Sequence, residues 1–510
     1  MKLTRVVRHN IIANFTGNIS RGIFNLAFIP VYIKLMGVEA YALIGIFMSL
    51  SAIFVLLDMG LSTTLSRQLS RLSVTKSSEH ESRNLVRTFE IVYWLIGILI
   101  GVSVIILAPF IAEDWINSTN ISTETIEQAL LIMGMLLAFQ WPRAIYIGGL
   151  EGLQRQVLYN IIKTLSMLAR HVGAVLVLIF ISPSIINFFY WQSFVALITT
   201  IILAVSLWRS LPKSNKHSRF DKALFIKNWK FVSGVVGISL GTILLGQIDK
   251  IILSKVLTLE VFGYYMLATT IANVIMSLAS PIHTALFPKF SQLVVKKEEN
   301  KISDLYHKGC QLASIVILPF TVTMVFFSKE ILGFWIGDQF VVDNTYVLLS
   351  LLLIVITIKA FMTLPYALQL AHGWTKLAFY KNFITIIIMA PLMLWIVEIY
   401  QSVGAIWVMI SLNLGALIVE IIIMHRRILR NKYKRQYIYD VFIPILIVSG
   451  LGFIIHEVYM VMELHESKVI TFLVVISTFC LTYIGSALAT GNLNSRVLSL
   501  LKTKGGKTLV

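Results

Sequence analysis

IIANFTGNISRGIFNLAFIPVYI, residues 11–33, reads as a membrane-crossing helix interrupted by Asn14, Asn18, Arg21 and Asn25. A helix needs about 20 mostly apolar residues to cross a hydrocarbon core of about 30 Å, and this stretch has that length. Comparable apolar runs recur along all 510 residues. The chain is 57% hydrophobic and only 13% charged, roughly half the charged share of an ordinary soluble domain. Its mean hydropathy is +0.82. Alternating strands of about 10 residues, the mark of a membrane β-barrel, are missing from the sequence. The fold class is therefore an all-α polytopic membrane protein.

Fourteen spans are expected, at roughly 10–35, 40–65, 89–111, 125–149, 158–181, 187–208, 231–256, 261–287, 309–328, 344–370, 378–399, 402–424, 441–462 and 468–490. The N-terminal MKLTRVVRHN has a basic start, but no small-residue cleavage site follows a short apolar core. It reads as an uncleaved first helix. With the N-terminus inside, inside segments hold about 33 of the 43 Lys and Arg, and outside loops about five. This bias places both termini in the cytoplasm and accounts for the net charge of +18 without a nucleic-acid partner. Binding of anionic membrane lipid is the sharper reading of the basic loops. The outside loops are short, which leaves no room for an extramembrane catalytic domain. Cys310 and Cys480 are the two cysteines, so neither a disulfide framework nor a metal cluster is expected.

An internal repeat organises the spans. At an offset of 221 residues, Lys34, Glu39 and Tyr41 fall on Lys255, Glu260 and Phe262, and Gly152, Arg155 and Tyr159 fall on Gly373, Lys376 and Tyr380. A repeat of six spans enters the membrane in the same direction twice, which is a common transporter plan. The expected domains are an N-lobe at 1–215, a C-lobe at 216–430, and two appended helices with a tail at 431–510. The two lobes are pseudo-symmetric six-helix bundles.

The four polar residues of the opening stretch fall within a stripe about 60° wide at 100° per residue. A charge at mid-bilayer costs roughly 2.5–3.5 kcal/mol on insertion scales. Such a stripe belongs against a water-filled cavity or, as a polar seam, against a neighbouring helix. Other spans carry Asp58, Arg143, Lys163, Arg170, Asp249, Lys250 and Lys359. Cations exceed carboxylates in this set, so a shared cavity would suit an anion, above all a phosphate. Plainer readings stand beside these. Lys163 lies near a helix end and can snorkel. Asp58 can pair with nearby loop arginines. Asp249 beside Lys250 reads as a simple local charge cluster, since adjacent helix positions do not face each other. His171 and His283 read as packed or hydrogen-bonded residues, and Glu420 as a partner of Arg426 or Arg427.

An N-x6-G pattern near the start is followed by FIPVYIKLMGVEAYAL and LLDMGLSTTLSR, then by EGLQRQ after span 4. The second lobe has GQIDKIILSKVLTLEVFGYYMLATTIANVI and ALFPKFSQL. This ordered set resembles polysaccharide-export flippases of the Wzx type, in the multidrug/oligosaccharidyl-lipid/polysaccharide (MOP) exporter superfamily, over spans 1–12. The resemblance implies a V-shaped two-lobe bundle with alternating access in the bacterial inner membrane. It implies a polyprenyl-pyrophosphate-linked oligosaccharide substrate, such as an O-antigen repeat unit, and coupling to a proton or sodium gradient. Polysaccharide polymerase machinery is a further implied partner, and no cofactor is expected. Arg21, Arg143, Arg170, Lys250 and Lys359 would then attract the pyrophosphate, and Asn14, Asn18 and Asn25 the sugar. Asp58 and Asp249 would couple the ion. Many such flippases have twelve spans. The extra pair follows the lipid II flippase pattern, where it makes a groove for the lipid tail.

Two other classes compete. A MATE-like drug or cation antiporter should have an acidic cavity. A membrane polysaccharide polymerase or ligase should show a long outside loop or a paired-carboxylate motif. No phosphate-binding Walker sequence is present, so ATP bound by this chain does not supply the energy. The chain is expected not to be an enzyme.

Overall fold

A computed structural model of the chain describes residues 26–58, 60–73, 79–226, 236–429, 437–464 and 467–490. It is helical throughout, and among the described residues the only β pairing is one bridge, Asn117 with Thr258. In chain order the helices begin with α1 (Ile29–Met36), α2 (Val38–Phe54), α3 (Leu61–Leu72) and α4 (Glu79–Phe110). Next come α5 (Thr123–Gln140), α6 (Arg143–Gly152), α7 (Gln156–Phe180), α8 (Ile185–Ser210) and α9 (Val236–Val256). They continue as α10 (Leu259–Ala272), α11 (Val274–Val295), α12 (Glu299–Phe326) and α13 (Ser328–Ile336). The last are α14 (Gln339–Ala371), α15 (Lys376–Arg427), α16 (Ile443–Val461) and α17 (Lys468–Ala489). Side-chain caps start several of them: Ser122 accepts from Thr125 N, Ser184 from Ile186 N, and Asp338 from Phe340 N and Val341 N.

Among the described residues, eleven helices are long and apolar enough to cross a membrane. Their outward faces carry large apolar side chains, such as Leu95, Ile98, Leu99 and Ile106 on α4. Water would not tolerate such a surface, and hydrocarbon requires it. The count of eleven takes α15 as one helix, but its 52 residues break at Gln401, where φ is 49° and ψ is −139°. Lys381 and Glu420 settle the geometry. In one straight helix they would lie about 58 Å apart. Their side chains meet at 2.6 Å, so α15 is a hairpin of two antiparallel arms, matching the expected spans 11 and 12. Helix α9 coincides with the expected span 7. The expected span 1 lies mostly outside the described residues, with α1 as its end.

The chain divides into two compact units, residues 1–263 and 264–510. The core of the first gathers Leu61, Leu65 and Leu69 of α3 with Phe89 and Tyr93 of α4, Tyr146 and Leu150 of α6, and Leu207 of α8. Helices α3 and α6 cross very closely. A Cβ on Gly148 would come within 2.4 Å of the Ser62 carbonyl oxygen, and one on Gly152 within 2.4 Å of that of Ser66. Only a small-x-x-x-small stripe allows backbones this near. In the second unit, Asp440, just before α16, accepts from Gln311 at 2.7 Å and bonds His307 at 2.5 Å. Ser314 Oγ donates to the Asp440 carbonyl at 2.7 Å, and Ser486 of α17 donates to the Ser314 carbonyl at 3.1 Å. The last helix pair is therefore fastened to α12 by buried polar bonds.

Candidate anion-binding cavity

The site starts from a helix break. Helix α5 ends at Gln140, and Pro142 opens α6. Proline has no N–H and disrupts the regular ladder around it. Ala144 N turns to the Trp141 carbonyl at 3.3 Å, which leaves the Gln140 carbonyl available. Arg143 Nε takes it at 3.2 Å. The side-chain oxygen of the same residue accepts from Arg170 on α7 at 3.1 Å. Gln140 thus holds two guanidinium groups through its two oxygens. Thr200 of α8 donates to the Phe139 carbonyl at 2.7 Å and fixes the break from behind.

Arg143 and Arg170 line a cavity of about 370 Å³ together with Tyr159, Lys163, Ser166, His171 and Thr199. No carboxylate lines it. Among the described residues, neither arginine lies within ion-pair reach of an acid, and Arg170 Nε has no hydrogen-bond partner. Neutral acceptors orient a guanidinium without cancelling its charge, so the cavity keeps positive charge and free N–H donors. Lys163 sits 5.6 Å from the Tyr159 ring and faces this space. His171 bonds the Tyr32 hydroxyl at 3.0 Å and stacks on Phe28, as a packed histidine does. Ser166 and Thr199 share a hydrogen bond of 2.5 Å.

The remaining expected site residues fall elsewhere. Asn14, Asn18, Arg21 and Asn25 lie outside the described residues. Lys359 is on α14, in the second unit. Lys250 and Asp249 on α9 form an ion pair at 3.2 Å, in keeping with the local charge cluster read from the sequence. The lysine stem is long enough to curl back to Gly246 O at 2.8 Å, and this brings its ammonium over the adjacent carboxylate. Asp58 accepts from Ser62 at 2.9 Å and from Tyr93. Among the described residues its partners are these hydroxyls and not the loop arginines, because Arg67 lies a further turn or more along α3 beyond Ser62.

Glu420 also departs from expectation. It is fully buried and binds Lys381 at 2.6 Å and Gln369 at 2.6 Å. Arg426 is six residues on, across the helix, and Arg427 lies about 10 Å along the axis. Arg427 instead stacks over Trp374 at 4.4 Å.

Two elements escaped the sequence reading. One is Gln140, whose signal was the Pro142 two residues later. The other is Glu90, buried in α4, which accepts from Arg87 at 2.8 Å, Tyr146 at 2.8 Å and Trp208 at 3.1 Å. Its span was read as starting at residue 89, too close to the boundary for a charge to stand out.

The polysaccharide biosynthesis protein family matches residues 7–294, and the MatE family matches 236–395. A Shigella flexneri protein named "Putative O-antigen transporter" is 19% identical over 373 residues, covering 72% of this chain and 86% of that protein. The solved structure of the lipid II flippase MurJ, in an inward closed conformation, superposes with a TM-score of 0.69 at 15% identity. That match covers 96% of this chain and 99% of MurJ. An inward-facing multidrug resistance MATE family transporter of the MOP superfamily gives 0.64 at 13% identity, covering 81% of this chain and 95% of that one.

Proposed function

The chain belongs to the polysaccharide biosynthesis protein family, with the fold of MOP-superfamily flippases and transporters, and from that premise we propose that it flips a lipid-linked oligosaccharide. The substrate is a polyprenyl-pyrophosphate-linked repeat unit of an O-antigen or another surface polysaccharide. The chain acts in the bacterial inner membrane, with both termini in the cytoplasm. The observation that carries the reading is the acid-free cavity in which Gln140 holds Arg143 and Arg170. The hydrocarbon tail stays in the bilayer while the charged head crosses. A diphosphate leaving water needs charge-assisted donors in its place, and guanidinium groups supply them in pairs.

In this reading Arg21, Lys250 and Lys359 add to the positive path, and Asn14, Asn18 and Asn25 meet sugar hydroxyls. Two lobes, 1–215 and 216–430, rock about the site while 431–510 rides with the second. Asp58 and Asp249 are the proposed coupling carboxylates for a proton or sodium ion. An ion biases one state only by its differential affinity for the two states. Nothing in this scheme calls for bond-breaking chemistry by the chain.

Replacing Arg21 with Ala should abolish export of the polysaccharide while leaving the protein inserted. A strain carrying that variant with normal surface polysaccharide would remove Arg21 from the site. In a deletion strain, lipid-linked repeat units should accumulate on the cytoplasmic leaflet. Unchanged polysaccharide together with new sensitivity to cationic drugs would instead favour the drug-antiporter reading. The absence of carboxylates from the cavity lining opposes that reading, because a cationic ligand needs a negative counter-charge.

A further inference from the structure

A second cavity in the first unit shares no lining residue with the one that holds Arg143 and Arg170. It measures about 300 Å³ and lies between α2, α4 and α9. Ile46, Leu50 and Ile53 of α2 form one wall, and Leu107, Phe110 and Trp115 another. That second wall passes through a π-helical turn, Ile111–Trp115, which widens the backbone beside the pocket. Leu107 and Phe110 are about half exposed on the apolar outer face of α4, so the mouth opens toward hydrocarbon and not toward water.

Three polar residues interrupt this apolar lining, of which Ser254 is already bonded to Trp115 and the Ile251 carbonyl. Ser49 is 8% exposed, and its hydroxyl has no hydrogen-bond partner. Lys250 faces the pocket from α9. Its ammonium lies 2.8 Å from Gly246 O and 3.3 and 3.2 Å from the two Asp249 carboxylate oxygens. A site that is apolar, opens sideways to lipid and carries an ammonium together with a buried hydroxyl that lacks a partner fits an amphiphile with an anionic head. At about 30 Å³ for a group the size of water or a methylene, the space takes roughly ten carbons of a single chain. A phospholipid brings two chains to each phosphate, and a polyprenyl phosphate brings one.

We propose that this pocket holds the first isoprene units of a polyprenyl phosphate or diphosphate, with the phosphate against the Lys250 ammonium. The proposal rests on the lipid-linked reading of the function and gives the tail an entry point on the first unit, apart from the appended helices.

The test uses the full chain in nanodiscs with a polyprenyl diphosphate that carries a diazirine on its first isoprene unit. Light should attach the probe to the stretch from Leu107 to Trp115 or from Lys250 to Ser254. Unlabelled polyprenyl phosphate should compete, and an equal excess of phosphatidylglycerol should not. Ser49→Trp fills the pocket and should lower labelling at least about tenfold, equivalent to about 1.4 kcal/mol. Ile53→Trp, on the partly exposed rim, serves where Ser49→Trp fails to fold. Unchanged labelling in a folded variant, or equal competition by phosphatidylglycerol, overturns the proposal. Flipping of a lipid-linked sugar in vesicles is scored separately. Flipping with labelling elsewhere removes this pocket alone, and labelling here without flipping removes the transport reading alone.

Discussion

Arg170→Met is the sharpest perturbation of the cavity. Methionine keeps much of the volume and the helical preference of arginine, and removes only charge and donors. In the structure Arg170 gives one N–H to Gln140 and keeps Nε without a partner. At least one donor therefore remains for an incoming phosphate oxygen. A hydrogen bond involving a charged group contributes about 1.5–3 kcal/mol. Losing one should weaken binding about 10- to 150-fold at 1.4 kcal/mol per decade. The assay is binding of a polyprenyl diphosphate to the protein in nanodiscs, followed by flipping in vesicles. Arg170→Lys should fall between wild type and Arg170→Met, since lysine keeps the charge but not the planar fork. Gln140→Leu removes the side-chain acceptor that orients Arg170 and leaves the backbone carbonyl that holds Arg143. Combined with Arg170→Met it should cost less than the two losses summed, because the groups act on one ligand. Binding by Arg170→Met within about twofold of wild type, in a protein that unfolds normally, would refute the phosphate-binding role.

Two further predictions concern stability. Lys381→Met leaves the carboxylate of Glu420 buried without its cation and should cost about 3–5 kcal/mol in chemical unfolding. Lys329→Ala breaks a pair of similar length, 2.8 Å to Asp343, in which both side chains are about half exposed. It should leave the unfolding midpoint nearly unchanged, and high salt should erase any small difference. Gly152→Val drives a side chain into the Ser66 carbonyl and should separate α3 from α6. A loss of about 1–3 kcal/mol is expected, with lower yield of inserted protein as a second readout.

Much of the architecture was legible because hydrocarbon imposes a simple rule on length and polarity. Most spans came out close to their observed helices, and even the break near Gln401 fell between two expected spans. Partnerships were less legible. Glu420 was assigned by sequence proximity to Arg426 and Arg427, whereas its partners come from a helix 39 residues back and from α14. Burial decides such pairs, and burial depends on which arm of a hairpin faces which. Asp249 and Lys250 were legible as a local charge cluster, and the reach of the lysine stem closes the pair although helix neighbours point apart. Arg143 and Arg170 were legible as charges but not as a pair, since the residue that joins them is a neutral glutamine at a helix end.

That glutamine distinguishes the cavity from the buried pair of the second unit, where Lys381 is answered by Glu420. A cation that meets a carboxylate regains much of the cost of leaving water but keeps little charge for a ligand. Arg143 and Arg170 are held by amide oxygens, which fix direction and leave the charge uncancelled. A structural seam would gain by placing an acid at position 140, because its carboxylate would stand where the side-chain oxygen now meets Arg170 and would answer that charge. Gln140→Glu therefore discriminates between the two roles without a change of size. If the arginines only stabilise the bundle, it should raise the unfolding midpoint and leave transport intact. If they receive a phosphate, it should cut binding and flipping together while the fold gains or holds its stability, since the new carboxylate competes for the same donors and repels the same anion.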